Sequence, residues 1–475
     1  MMVVQASTPL EILGTYKNLF IYTFFTFSLT LLLSFLGFPS LFLHGLFTYV
    51  HPDHTSASAK AAIRRPSSDS SPSVDRFQPL SSSTNSELRK RVPRSRDKVD
   101  FDEGNAQIFR IKLDDAHVRS RVYFGDYQRV FVLFFLGACC FALKLYLGGH
   151  GGGSKVVGVL ENGGVIPVVL GIFAVSRLFV VLMKVSLERS ASRRSDKQLS
   201  LGFGVLGSFL GILICSSALK SGLDFDLSGI GGSWMVLIAI IMGCLAGFLY
   251  MPATKYARAF WLGTDQIRCS LSIISCGWFS RSVLFASHLL SILTALLYIN
   301  PFGQLLVNER AGVRGSGHEA SDERLLGNVG MSKPDFIKFR ICCMFAGCVL
   351  QMVVLRPCLQ MYLNEAVLSW YQRLHASRAP DLDFSRAKVF LHNHYICLTV
   401  LQFFAPPALA LLFLGLSQID DHSFGKVDSL CTRSTSCSVA IKQVSGLLAW
   451  WVNINWVVFT TATLAFYRCG LLYVS

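Results

Sequence analysis

The chain has 475 residues, of which 52% are hydrophobic and 15% charged, against roughly 25% charged in an ordinary soluble domain. With a mean hydropathy of +0.47 this excludes a cytosolic enzyme, and 37 Phe among Leu-rich runs exclude a wholly disordered chain. Lys and Arg number 44 against 29 Asp and Glu. In a membrane chain that surplus orients loops and meets anionic headgroups, so no nucleic-acid partner is expected.

Crossing a bilayer takes about 20 mostly apolar residues in a helix. Nine runs qualify: 19–38, 130–148, 164–183, 200–219, 234–252, 279–299, 337–356, 394–415 and 446–467. Each must satisfy its own backbone, and the runs are too long for barrel strands, so helices are the expected form and no strand is required. The expected fold is all-α: a polytopic helical membrane bundle of about nine transmembrane helices with one further amphipathic interfacial helix. Counted over the loops, Lys plus Arg total 27 on the odd-numbered side and 9 on the even-numbered side. Positive-inside logic then puts the amino terminus outside or lumenal. The first run is read as an anchor rather than a cleaved signal, because no small-residue cleavage site stands out after it.

In chain order, residues 1–50 form the amino-terminal anchor, and Leu41–Val50 either extend its span or lie in the interface. Residues 51–104 form a linker whose 51–99 portion holds 12 Ser and ends near the basic cluster RKRVPRSR at 89–96. That composition predicts disorder. Its bland reading is a solvated linker, and its sharper one is a phosphorylatable segment whose basic cluster meets anionic lipid or a partner. Residues 106–124 have the β-branched, apolar character to order against the bundle of 105–475. Residues 357–376 place Leu359, Leu363, Ala366, Trp370 and Leu374 on one helical face, with Gln360, Glu365, Gln372 and Arg373 elsewhere. A cytosolic helix along the membrane surface is the simplest reading. A continuation of the seventh span packed on its neighbours is the alternative.

None of the 29 Asp and Glu falls inside the nine runs. That argues against a proton-coupled carrier, an intramembrane aspartyl protease and a carboxylate-lined pore. Six basic residues do: Lys144, Arg177, Arg281, Lys338, Arg340 and Arg356. All but Arg177 lie near a run's end and can snorkel. Arg177 must find carbonyls, water, a lipid phosphate or an anionic ligand. Its candidate roles are a lipid or anion contact, or a place in a functional cavity. Pro406 and Pro407 interrupt the eighth run's hydrogen-bond ladder, giving either a kink or freed carbonyls that line a site.

Gly202, Gly204 and Gly207 spell a nucleotide-fold pattern, yet inside an apolar run. Helix packing through Gly207/Gly211 and Gly243/Gly247 explains the glycines better. His392 and His394 are two apart and point to opposite sides of a helix, so no metal is expected, and no cofactor. Cys431 and Cys437 are candidates for a disulfide on an oxidising face. Trp234, Trp450 and Trp451 are expected at the membrane interface. His288, His394 and Tyr395 make no convincing catalytic constellation, so no enzymatic activity is expected.

The segments YQRVFVLFFLG (127–137), LGFGVLGSFLGILI with SGLDFDL (201–227), GFLYMPATKYAR (247–258), LRPCLQMYLNEA (355–366), LQFFAPPALALL (401–412) and the final WW…FY…LLYV resemble, in order and spacing, the transmembrane protein 161 family. The family has no established catalytic residues. Its animal members are linked to cellular excitability and stress responses. The resemblance implies a multi-pass regulator of ion handling or membrane signalling at the plasma membrane or an endomembrane. Its partners would be the lipid bilayer and other membrane proteins, among them ion channels or signalling components. A channel or transporter in its own right is the alternative. In the family the segment after the first run has been drawn as extracellular, opposite to the charge count here.

Overall fold

Apolar runs separated by polar loops become helices that pass back and forth, and the computed structural model shows them doing so. It describes residues 17–50, 109–150, 165–188, 194–216, 222–225, 232–264, 276–307, 331–375, 382–419 and 437–472. The long helices are α1 (Lys17–Phe35), α4 (Phe124–His150), α5 (Val165–Leu187), α6 (Arg194–Cys215), α7 (Gly232–Thr264), α8 (Trp278–Leu297), α10 (Lys333–Val353), α11 (Leu355–His375), α12 (Leu382–His394), α13 (Ile396–Ser417) and α14 (Cys437–Arg468). Short turns α2 (Phe38–Leu43), α3 (Asp115–Arg119) and α9 (Asn300–Gln304) join them. Among the described residues nine helices are long and apolar enough to cross a membrane: α1, α4 to α8, α10, α13 and α14. The expected all-α polytopic bundle is therefore present.

Helix α13 is the axis of the bundle. It packs on α4, α5, α7, α10, α11, α12 and α14, and its residues from Ile396 to Ala410 are all buried. Phe404 meets Phe131 and Phe134 of α4 at ring separations of 5.6 and 5.1 Å. Helices α6 and α7 form the closest pair. A Cβ on Gly243 would sit 2.6 Å from the Gly204 carbonyl oxygen, and one on Gly211 3.0 Å from the Ala239 Cα. Backbones approach here because there is no side chain to hold them apart. Ser200 Oγ donates to the Gly247 carbonyl across the same contact at 2.6 Å.

Several expectations need correction. Phe47–Val50 does not extend the first span but forms strand β1, paired antiparallel with β2 (Phe109–Lys112), Phe47 opposite Lys112 and Val50 opposite Phe109. Both segments alternate in a β-compatible way. Gln360 of α11 completes the other edge: Phe47 N–H donates to its Oε1 at 2.9 Å, and its Nε2 donates to the Phe47 carbonyl at 3.1 Å. Helices overrun the apolar runs and take Asp126, Asp196 and Asp335 into their first turns, where negative charge suits the helix dipole. Trp450 and Trp451 are core ties rather than interface anchors. Both are buried, donating to the carbonyls of Ala295 (3.0 Å) and Met242 (2.8 Å). Trp234 is exposed. Arg340 does not snorkel: buried, it pairs with Asp224 at 2.8 Å and lies 4.3 Å over the Tyr298 ring. Residues 51–104 lie outside the described residues.

Candidate functional site

Successive helix ends gather at two poles. At one, Asn300 N–H donates to the Gly222 carbonyl, and Phe225 stacks on Tyr298 at 5.6 Å beside Trp450. At the other lie the two-stranded sheet, α11, α12, the carboxyl-terminal turns of α7 and the end of α14. A charged cluster is built there.

Helix α7 creates it by not stopping where its apolar run ends. The run ends at 252, yet the helix continues through Pro252 to Thr264. TKYARAFWLG keeps an apolar face, with Tyr256, Ala259, Phe260 and Gly263 buried and Lys255 and Arg258 on the polar side one turn apart. Helix α11 supplies the counter-charge. Residues Met361 to Trp370 are buried on every side, so it packs among its neighbours instead of lying along a surface. Its polar residues are met by protein: Asn364 Oδ1 accepts from Tyr49 Oη (3.3 Å) and Gln360 Nε2 (3.0 Å).

Glu365 is the centre. Its side chain is 4% exposed, and Arg258 Nη1 lies 3.2 Å and Lys388 Nζ 3.7 Å from its Oε1. Arg258 Nε donates to Tyr467 Oη at 3.0 Å, and Tyr467 stacks on Trp261 at 6.0 Å. Lys255 Nζ donates to Gln402 Oε1 on α13 at 2.9 Å. Burial pushes the Glu365 carboxyl upward, but Arg258, His392 and Lys388 together hold it below the ordinary value. It is therefore an ionised carboxylate among cations.

His392 stacks on Tyr362 at 4.5 Å, with Nδ1 2.9 Å from the Lys388 carbonyl. Burial, opposed by Glu365, takes its pKa down to about 4. The ring is neutral at physiological pH, and Nδ1–H is the donor to that carbonyl. His394 instead stacks on Phe390, so the two rings do not converge. Among the described residues no group of three His, Cys, Asp or Glu is placed to hold a metal ion.

The residues singled out from sequence fall elsewhere. Arg177 is exposed on α5, 5.4 Å from the Phe173 ring. Pro406 and Pro407 are buried inside α13, which stays helical through both. Pro406 lacks the N–H that would bond the Gln402 carbonyl, so the same residue that accepts from Lys255 carries a carbonyl freed of its helical partner. Cys431 and the side chain of Cys437 lie outside the described residues. His288 sits beside Phe260 and 3.4 Å from Thr461 Oγ1. A cavity of about 110 Å³ beneath α2, lined by Ser34, Ser40, Arg119 and Gln128, is smaller than the ~300 Å³ of small-molecule sites.

Sequence reasoning missed Lys255, Arg258, Glu365 and Lys388 as a group. The available signal was the unbroken helical periodicity after residue 252 and the lone carboxylate of the 355–375 helix.

A helical bundle with nine membrane-crossing candidates is a polytopic integral membrane protein. Residues 216–440 match the family model described as predicted transmembrane protein 161AB. The matched stretch contains Lys255, Arg258, Glu365, Lys388 and Gln402. No curated protein and no solved structure matches the chain.

Proposed function

We propose that this protein is a non-enzymatic regulator that modulates ion handling or membrane signalling by contacting other membrane proteins. The observation that supports this reading is the filling of the bundle's axis. Helix α13 is enclosed by seven other helices and is almost wholly buried, with Phe, Leu, Ala and Pro along it, a packed core rather than a lined path. Lys255, Arg258, Glu365 and Lys388 collect in a charged cluster at one pole, where loops meet partners. A cell-surface or an internal membrane suits this role equally. Ion flux into proteoliposomes holding the purified protein, with potassium and chloride gradients applied separately, tests it. Tight vesicles around folded protein are the expected result. Selective flux would replace the regulator with a channel or transporter.

A further inference from the structure

The charged cluster does not balance. Among the described residues Lys255, Arg258 and Lys388 gather around one buried carboxylate, Glu365, whose contacts go to Arg258 and Lys388. Lys255 is within electrostatic reach of Arg258, Glu365 and a second carboxylate, Asp196, so three cations face two carboxylates, and the one hydrogen bond of Lys255 is to the neutral amide oxygen of Gln402. An ammonium has three donors. Holding two like charges a turn apart on one helix is unfavourable unless something offsets it. Ser369, one helical turn beyond Glu365 on the same face of α11, is buried with an Oγ that has no partner.

Arg258 uses Nη1 and Nε on Glu365 and Tyr467, and its side chain keeps 43% of its surface open. Lys255 follows the end of the apolar run at 252 by three residues, the depth at which a helix leaves the hydrocarbon and lipid phosphates lie. We propose that Lys255 and Arg258 form a binding site for an anionic phosphate group, the headgroup of an acidic lipid or a free phosphate. Gln402 positions the ammonium, and Glu365 with Tyr467 positions the guanidinium. Arginine offers a planar fork to phosphate oxygens and lysine a point charge, a division of labour common at phosphate sites.

The test uses the full-length protein in detergent, titrated with dioctanoyl phosphatidate, inorganic phosphate or dioctanoyl phosphatidylcholine and read by calorimetry. Phosphatidate should bind saturably, Lys255→Gln and Arg258→Gln should each weaken it about tenfold, as loss of one charged contact does, and Arg177→Gln should not. Inorganic phosphate that competes with equal affinity identifies a soluble ligand; a strong preference for phosphatidate identifies the lipid. Equal binding of phosphatidylcholine, no binding of either phosphate probe, or full affinity in both variants would overturn the proposal. A measurement on the wild type covers the case in which the variants do not fold: phosphatidate should protect Lys255 from acetylation, and an unchanged modification rate refutes the site.

Discussion

Helices α1 and α13 are both strongly apolar, yet they solve opposite problems. In α1, Phe24 is 75% and Phe35 91% exposed, while in α13 Phe403 is 2% exposed. A lipid tail and a leucine side chain are equally apolar, so composition does not say which will be the neighbour. The difference lies in shape. Helix α13 carries small residues and two prolines that let seven helices close around it, whereas α1 touches mainly α4, α5 and α2.

The comparison breaks most visibly at the aromatic rings. Phe403→Ala should destabilise the bundle by about 3 kcal/mol, the low end for a buried Phe because the packing term survives in lipid while the hydrophobic term does not. Phe24→Ala should leave the unfolding midpoint within ~0.5 kcal/mol of wild type. Equal effects in a detergent unfolding titration would erase the distinction. Next comes Glu365→Gln, which leaves Arg258 and Lys388 facing a neutral amide. About 2 kcal/mol should be lost, discounted from the 3–5 of a fully enclosed pair because Arg258 is partly open.

Gly243→Ala forces a methyl toward the Gly204 carbonyl and should cost roughly 1–2 kcal/mol by overpacking. Gly202→Ala, where an added Cβ meets nothing within 4 Å, should be neutral or slightly stabilising. A pH dependence completes the set. With its pKa depressed to about 4, His392 is neutral when folded, and the unfolded chain takes up a proton below about 6.5. Stability is full above that value and falls as pH drops toward 4, by about 1.4 kcal/mol at pH 5.5. Glu365, whose pKa is lowered, adds loss only at pH below its unfolded value. His392→Phe should flatten the slope between pH 6.5 and 5, and a persistent slope would assign it elsewhere.

The membrane helices were legible because twenty apolar residues have few other uses in a chain this hydrophobic. The α6–α7 contact was legible too, since glycines four apart mean close backbones whatever the partner. The charged cluster was not. Glu365 reads as the polar side of an amphipathic helix until Arg258 and Lys388, 107 and 23 positions away by number, turn that side inward. For the same reason Trp450 and Trp451 look like interface residues: an indole N–H is satisfied equally by water or by a distant carbonyl, and only the fold says which. The strands were hidden by separation, because neither Phe47–Val50 nor Phe109–Lys112 has a partner nearby in sequence.

That pairing has a mechanical consequence. Val50 and Phe109 are paired across the sheet, so the chain positions on either side of residues 51–108 are held side by side. Loop-closure entropy grows only with the logarithm of length, about 0.6 kcal/mol per doubling, so the number of residues between the two strands alters the cost of forming this pairing very little. A single cut between the strands would leave the amino-terminal piece held by the four residue pairs of the sheet and by the packing of α1 on α4 and α5. A pull on the chain between the strands would load β1, and through the Phe47–Gln360 hydrogen bonds would reach the helix that carries Glu365.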